Sequence, residues 1–191
     1  MMESSEEATL PSKYGSFMVR AFRGRDGREH LAVFKGDMRS EGVPVRIHSE
    51  CKTGDVFMSL ACDCGKQLIR ALEYIESKGT GAILYLAQEG RGIGLLNKIN
   101  AYKLQESGLD TCEANEKLGF RCDERDYGDA VWILRELGIR SVKVITNNRQ
   151  KIRSIEEAGI KVVGRIPIRT KPTRYNRRYL QTKKSRMGQL L

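Results

Sequence analysis

The sequence predicts an α/β fold: a mixed sheet with helices on its faces and an N-terminal β-hairpin. Two β-rich runs, residues 15–22 and 30–35, flank Arg23-Gly24-Arg25-Asp26-Gly27-Arg28, which reads as a hairpin turn. Ala82-Ile83-Leu84-Tyr85-Leu86 is continuously apolar, as a strand buried on both faces would be. From there strand and helix signals alternate, which implies right-handed crossovers and parallel pairing. The antiparallel hairpin makes the whole sheet mixed.

Val43 to Ile47 reads as a third strand, leading straight into His48-Ser49-Glu50-Cys51. Leu68, Leu72 and Ile75 share one helical face, and Gly79 stops that helix. After the apolar strand and a glycine-rich turn, Leu95, Ile99 and Tyr102 mark a helix ending near Gly108. A further helix spans about Gly128 to Leu137, closed by Gly138. Ser141 to Ile145 is a strand, 149–158 a helix and Ile160 to Val163 a strand. With no internal repeat or low-complexity linker, residues 14–168 are expected to form one domain. Residues 1–13 are expected to be a disordered tail, and 169–191 a basic C-terminal tail.

The chain has 191 residues, 40% hydrophobic and 30% charged, ordinary for a globular protein. No apolar run approaches the roughly 20 residues of a membrane span. The polar, acidic start (Glu3, Glu6, Glu7) lacks the features of a secretion signal, so a cytoplasmic location is expected. The formal charge is +10, but eight Lys or Arg and no acid fall in 169–191. The remainder holds 26 basic against 24 acidic residues, too balanced for a nucleic-acid-binding face.

Cys51, Cys62 and Cys64 form a C-x10-C-x-C pattern in polar, turn-like surroundings, including Thr53-Gly54-Asp55 and Asp63. Core cysteines sit in apolar periodic segments, whereas thiolates on loops suit zinc. Three ligands leave a fourth position for water, the catalytic arrangement. Cys112 and Cys122 are alternatives for completing a four-cysteine site, and an odd cysteine count in a reducing compartment argues against a disulfide framework. His48, three residues before Cys51, is open to three readings: a fourth ligand, a water-positioning group, or a hydrogen-bonded core residue.

Gln88-Glu89-Gly90-Arg91-Gly92-Ile93-Gly94 joins the apolar strand to a helix, where backbone N–H groups and the arginine fork suit phosphate oxygens. It is neither a P-loop nor a dinucleotide fingerprint. Thr146-Asn147-Asn148 occupies the next strand-to-helix junction, with Lys151 one turn on. Two such junctions at strand ends match where ligands bind in open α/β sheets. Asp123-Glu124-Arg125-Asp126 alone reads as a solvated loop opening a helix.

Together, Arg46-Ile47-His48-Ser49-Glu50-Cys51-Lys52-Thr53-Gly54-Asp55, Cys62-Asp63-Cys64, Gln88-Glu89-Gly90-Arg91, Gly94-Leu95-Leu96-Asn97-Lys98-Ile99, Ala114-Asn115, Leu118-Gly119-Phe120, Asp123-Glu124-Arg125-Asp126 and Thr146-Asn147-Asn148 resemble GTP cyclohydrolase II of riboflavin biosynthesis. The resemblance runs from about Tyr14 to the C-terminus. It implies a homodimer that converts GTP to a 2,5-diamino-6-ribosylamino-pyrimidinone 5′-phosphate. Formate and pyrophosphate leave, with zinc at the purine and magnesium (Mg2+) on the phosphates.

By the same resemblance Cys51, Cys62 and Cys64 match zinc ligands. Arg46, Ile47, His48, Ser49, Glu50, Gln67, Glu89, Gly90, Arg91, Thr111, Thr146 and Lys151 match substrate contacts. Asp123 matches the proton acceptor, Arg125 a nucleophile and Tyr102 a catalytic tyrosine. An arginine nucleophile must lose a proton from a group with pKa above about 12, so a phosphate clamp is the competing role for Arg125. Three thiolates donate more charge to zinc than three imidazoles, so its water needs help from a group such as Tyr102. The tail departs from relatives in its basic Arg174-Tyr175-Asn176-Arg177-Arg178 and in Gln189, where histidine is expected. A nucleobase deaminase would need H-x-E and P-C-x-x-C, which are absent. A cyclohydrolase that keeps the formyl group is the remaining alternative.

Overall fold

Eight strands make one mixed sheet in the computed structural model, which describes residues 2–190. Met1 and Leu191 lie outside the described residues. In chain order the strands are β1 (Glu3–Ser4), β2 (Ala8–Ser12), β3 (Gly15–Arg23), β4 (Glu29–Lys35), β5 (Val43–Ser49), β6 (Gly81–Leu86), β7 (Ser141–Ile145) and β8 (Lys161–Ile166). The helices are α1 (Lys52–Asp55), α2 (Cys64–Lys78), α3 (Gly94–Glu106), α4 (Thr111–Lys117), α5 (Gly128–Glu136), α6 (Arg149–Glu157) and α7 (Arg177–Ser185). The order across the sheet is β1-β3-β4-β6-β5-β7-β8, with β2 also on β3.

The hairpin β3–β4 and the β4–β6 pair are antiparallel, whereas β6, β5, β7 and β8 run parallel. Alternation along the strands divides the core between the two faces. Val45, Ile47, Ala82, Leu84 and Leu86 pack with Ile133, Leu134 and Ile155 of α5 and α6. On the other face Ile83 and Ile145 pack with Ala71 and Ile75 of α2.

Three segments differ from expectation. Residues 3–12, read as part of a disordered tail, pair with β3 in register, Thr9 opposite Met18. Their side chains are exposed, so only the open backbone groups of an edge strand recruit them and no apolar period announces it. Residues 177–185, read as tail, form α7. Short α4 escaped notice although Asp110 and Glu113 form a reciprocal capping box at its start.

Candidate active site

The parallel strands all end at one edge, and the chain's polar blocks follow those ends. Pairing β5 beside β6 puts Ser49 opposite Leu86, and the Glu50 N–H then donates to the Leu86 carbonyl at 2.8 Å. While Val45 and Ile47 turn into the core, Arg46 and His48 face the opposite side, towards α1 and α2. The turn after β6, Glu89–Gly92, is tight, with Gly90 and Arg91 both in the left-handed region at φ 63. Arg91 is strained there, at a cost on the order of 1 kcal/mol. Its carbonyl accepts the Glu124 N–H at 3.0 Å, which anchors the turn to the Asp123–Arg125 loop.

The three sulfurs of Cys51, Cys62 and Cys64 lie within 4.8 Å of one another. Cys51 Sγ and Cys62 Sγ are 3.8 Å apart, matching the separation of about 3.8 Å for two sulfurs bonded at 2.3 Å to one tetrahedral ion. A side chain on Gly54 would put its Cβ 2.7 Å from Cys62 Sγ and 3.2 Å from Cys51 Sγ, so glycine keeps the cradle open. Bonds from Cys62 and Cys64 hold the Cys51 thiol far below its ordinary pKa, while the bond to Cys51 pushes Cys62 up to about 11. The trio thus shares protons around one thiolate, and a soft divalent cation replaces those protons readily. These residues fit a metal.

Around the trio the polar groups are mutually fixed. Asp55 accepts from His48 Nε2 at 3.1 Å, from the Cys51 N–H at 2.9 Å and from the Tyr85 hydroxyl at 3.0 Å. His48 is therefore buried behind the cysteine trio, joined to Cys51 through Asp55, and is not part of the sulfur cluster. Thr53 Oγ1 lies 3.7 Å from Cys51 Sγ and 3.2 Å from the Tyr102 hydroxyl. Burial raises the Tyr102 pKa, so its hydroxyl stays protonated.

Cations gather on the other side of the cleft. Arg46 donates to Gln67 Oε1 at 2.6 Å and to the Ile145 carbonyl at 3.1 Å, and its Nε has no partner among the described residues. Arg91 Nη2 is likewise buried without a partner. A buried donor left unpaired costs about 1–3 kcal/mol, which an anionic ligand would relieve. Lys151 Nζ rests on the Ile47 carbonyl at 2.8 Å. Arg125 makes two bonds to Asp123, at 2.8 and 2.5 Å. Burial alone would raise the Asp123 pKa, but the Arg125 bond and charge outweigh it and hold the carboxyl below its usual range.

The C-terminal segment closes the site. Lys183 of α7 donates to Asp63 Oδ1 at 2.8 Å, Gln67 donates to Asp63 Oδ2 at 2.6 Å, and Gln67 in turn holds Arg46. The Leu190 N–H caps this arrangement on the Asn147 carbonyl. One cleft of about 960 Å3, counting its open mouth, touches the cysteine trio, the cations and α7.

A family model described as GTP cyclohydrolase II matches residues 3–167. The chain belongs to the GTP cyclohydrolase II family. A protein named GTP cyclohydrolase-2 from Picrophilus torridus is 50% identical over 191 residues, covering all of both chains. Proteins named riboflavin biosynthesis protein RibBA from Bacillus subtilis and Phocaeicola vulgatus are each 50% identical, over 194 and 193 residues. The chain covers 49% and 48% of those two, about half the length of these curated relatives.

Most residues that the GTP cyclohydrolase II resemblance singled out line the cleft, including Ser49, Glu50, Gly90, Thr111, Thr146 and Arg125. Ile47 and Asp123 do not: Ile47 is a core side chain that offers its carbonyl to Lys151, and Asp123 stands behind Arg125. Cys112 and Cys122, weighed as ligands for a four-cysteine site, are bonded to each other. The turn after α4, where the Phe120 N–H returns to the Asn115 carbonyl, brings their Cα atoms to 4.5 Å, within disulfide range. Lys98, Tyr179 and Lys183 line the cleft without having been assigned a role. The basic run of 169–191 left a solvated tail, one folded over a polyphosphate and one docked on an acidic partner all open; α7 folds back onto the site through Lys183 and Asp63.

Proposed function

We propose that this chain hydrolyses GTP, opening the imidazole ring and releasing formate and pyrophosphate, as the first step of riboflavin biosynthesis. One observation carries the reading: a single cleft pairs three converging cysteine sulfurs with the cations of Arg46, Arg91, Arg125 and Lys151. Ring opening and pyrophosphate release need different machinery, and the cleft holds both kinds. Cys51, Cys62 and Cys64 would hold zinc, whose soft thiolate set leaves one open position; zinc supplies a Lewis acid and acidified water for attack at the purine carbon. Magnesium would accompany the triphosphate.

The chain's own groups position the substrate. Both oxygens of Glu89 are already engaged, by the Gly90 and Lys52 N–H groups and by Lys98. Glu50, whose nearest cation is Lys52 at 3.6 Å, is the better carboxylate to read the guanine edge. Tyr102, kept protonated, donates a hydrogen bond beside the reacting carbon. Arg46, Arg91 and Lys151 take phosphate oxygens and offset charge that develops on the leaving pyrophosphate. Tyr127 and the Asp123 ion pair raise Arg125 above the usual arginine pKa despite burial, which favours a phosphate clamp over a nucleophile. A homodimer is part of the proposal.

Incubation with GTP and magnesium, scoring formate and pyrophosphate separately with and without a zinc chelator, tests this. Chelation should abolish formate release, and Cys62→Ser should do the same. Formate production that survives complete zinc removal overturns the assignment, and pyrophosphate without formate indicates a formyl-retaining enzyme.

A further inference from the structure

A lysine buried in the first half of a helix needs a reason. Lys98 of α3 is 7% exposed, and burying an ammonium is costly unless anions meet it. Two do. Nζ lies 2.7 Å from Glu89 Oε1 and 3.2 Å from Cys51 Sγ. Glu89 is itself held by the Gly90 N–H at 2.6 Å and, through its other oxygen, by the Lys52 N–H at 2.7 Å. The ammonium therefore has a fixed mount and a single remaining direction of consequence, onto the sulfur. Tyr102, one turn further along α3, places its ring 5.8 Å from the same nitrogen.

We infer that Lys98 is a positioning residue of the metal site, orienting the Cys51 thiolate and withdrawing electron density from it. The inference rests on the reading of Cys51, Cys62 and Cys64 as zinc ligands. Three thiolates around a divalent ion carry one net negative charge, and they lessen its Lewis acidity. A cation hydrogen-bonded to one ligand sulfur neutralises that excess and takes back part of the donated charge. Partners that orient and tune metal ligands in this way are worth about 10–100-fold in metal affinity or activity. Through Glu89 the same ammonium ties the cysteine loop to the turn after β6, so metal site and substrate turn share one fixed point.

The test uses the full chain, its zinc affinity measured by competition with a chromogenic chelator, and the sulfur-to-metal charge-transfer band of its cobalt(II) form. Lys98→Met should weaken zinc binding about 10–100-fold and move the band to longer wavelength, because the unbonded sulfur holds its electrons less tightly. Lys98→Arg, which keeps charge and donors, should restore both towards the unmodified chain. If circular dichroism shows that Lys98→Met does not fold, Lys98→Gln supplies the reading, since it removes the charge at similar length. Unchanged affinity and an unmoved band in a folded variant overturn the inference, leaving Lys98 as a tie for Glu89. If the unmodified chain binds zinc no better than Cys51→Ser and shows no such band, the metal reading fails, and this inference with it.

Discussion

Lys151 carries the clearest consequence at the scale of one residue. Burial first, then the charges of Arg46 and Arg125, push its pKa well below the ordinary lysine value. The unfolded chain keeps that proton up to about pH 10.4. The resulting penalty on folding is fully present below the folded-state pKa and is relieved as pH rises towards the unfolded value. A bound triphosphate reverses the burial argument by giving the ammonium a counter-charge. Between the depressed pKa of the free protein and the higher pKa of the complex, GTP binding should take up a proton, and affinity should fall as pH rises through that window. Calorimetry in buffers of different ionisation enthalpy measures this uptake. Lys151→Met should abolish it and weaken binding by roughly 10–100-fold, the worth of a charged hydrogen bond.

At the scale of elements, two tethers fix segments of the site to one another. The Cys112–Cys122 bond ties the start of α4, next to Thr111, to the loop that carries Asp123 and Arg125. Opening a loop of this length costs about 2–3 kcal/mol, or roughly 5–10 °C in melting temperature for a chain of this size. Melting the protein before and after treatment with a dithiol, with Cys112→Ser as a control that no longer responds, checks it. The second tether is Lys183 to Asp63, whose side chains are 10% and 1% exposed. Lys183→Met leaves the Asp63 carboxylate buried without its cation, at a cost of about 3–5 kcal/mol. Because Asp63 steers Gln67 and Gln67 steers Arg46, the same substitution should raise KM for GTP. Thermal melts and steady-state kinetics on one preparation separate the two effects.

Over the whole molecule, apolar side chains are left uncovered beside the cleft. Phe57 is 78% exposed and Leu96 77%, on the segments after α1 and at the start of α3, which Thr53 and Tyr102 join. A stable dimer buries about 1,200–2,000 Å2, and the proposed homodimer would cover these side chains. Phe57→Glu combined with Leu96→Glu should convert the proposed homodimer to a monomer in sedimentation velocity. No helix among the described residues is long and apolar enough to cross a membrane.

The sequence by itself determined the mixed α/β architecture, the hairpin, the parallel strands and the membership of the cysteine trio. Each is written locally: alternation and apolar runs specify strands, helical spacing specifies faces, and polar turns around cysteines separate ligands from core. Tertiary structure decided everything that depends on return of the chain. Residues 3–12 became strands because β3 had an open edge, and their exposed side chains left no pattern to read. Cys112 found Cys122 because a turn after α4 closed on itself. His48, left open to three readings by its spacing, bonds Asp55, and Lys98, one residue of a recognisable block, acquired a sulfur partner 47 positions away. Lys183 reached Asp63 across 120 positions. Long side chains with several polar atoms choose partners by distance in space, and that distance is set only when the strand ends have gathered.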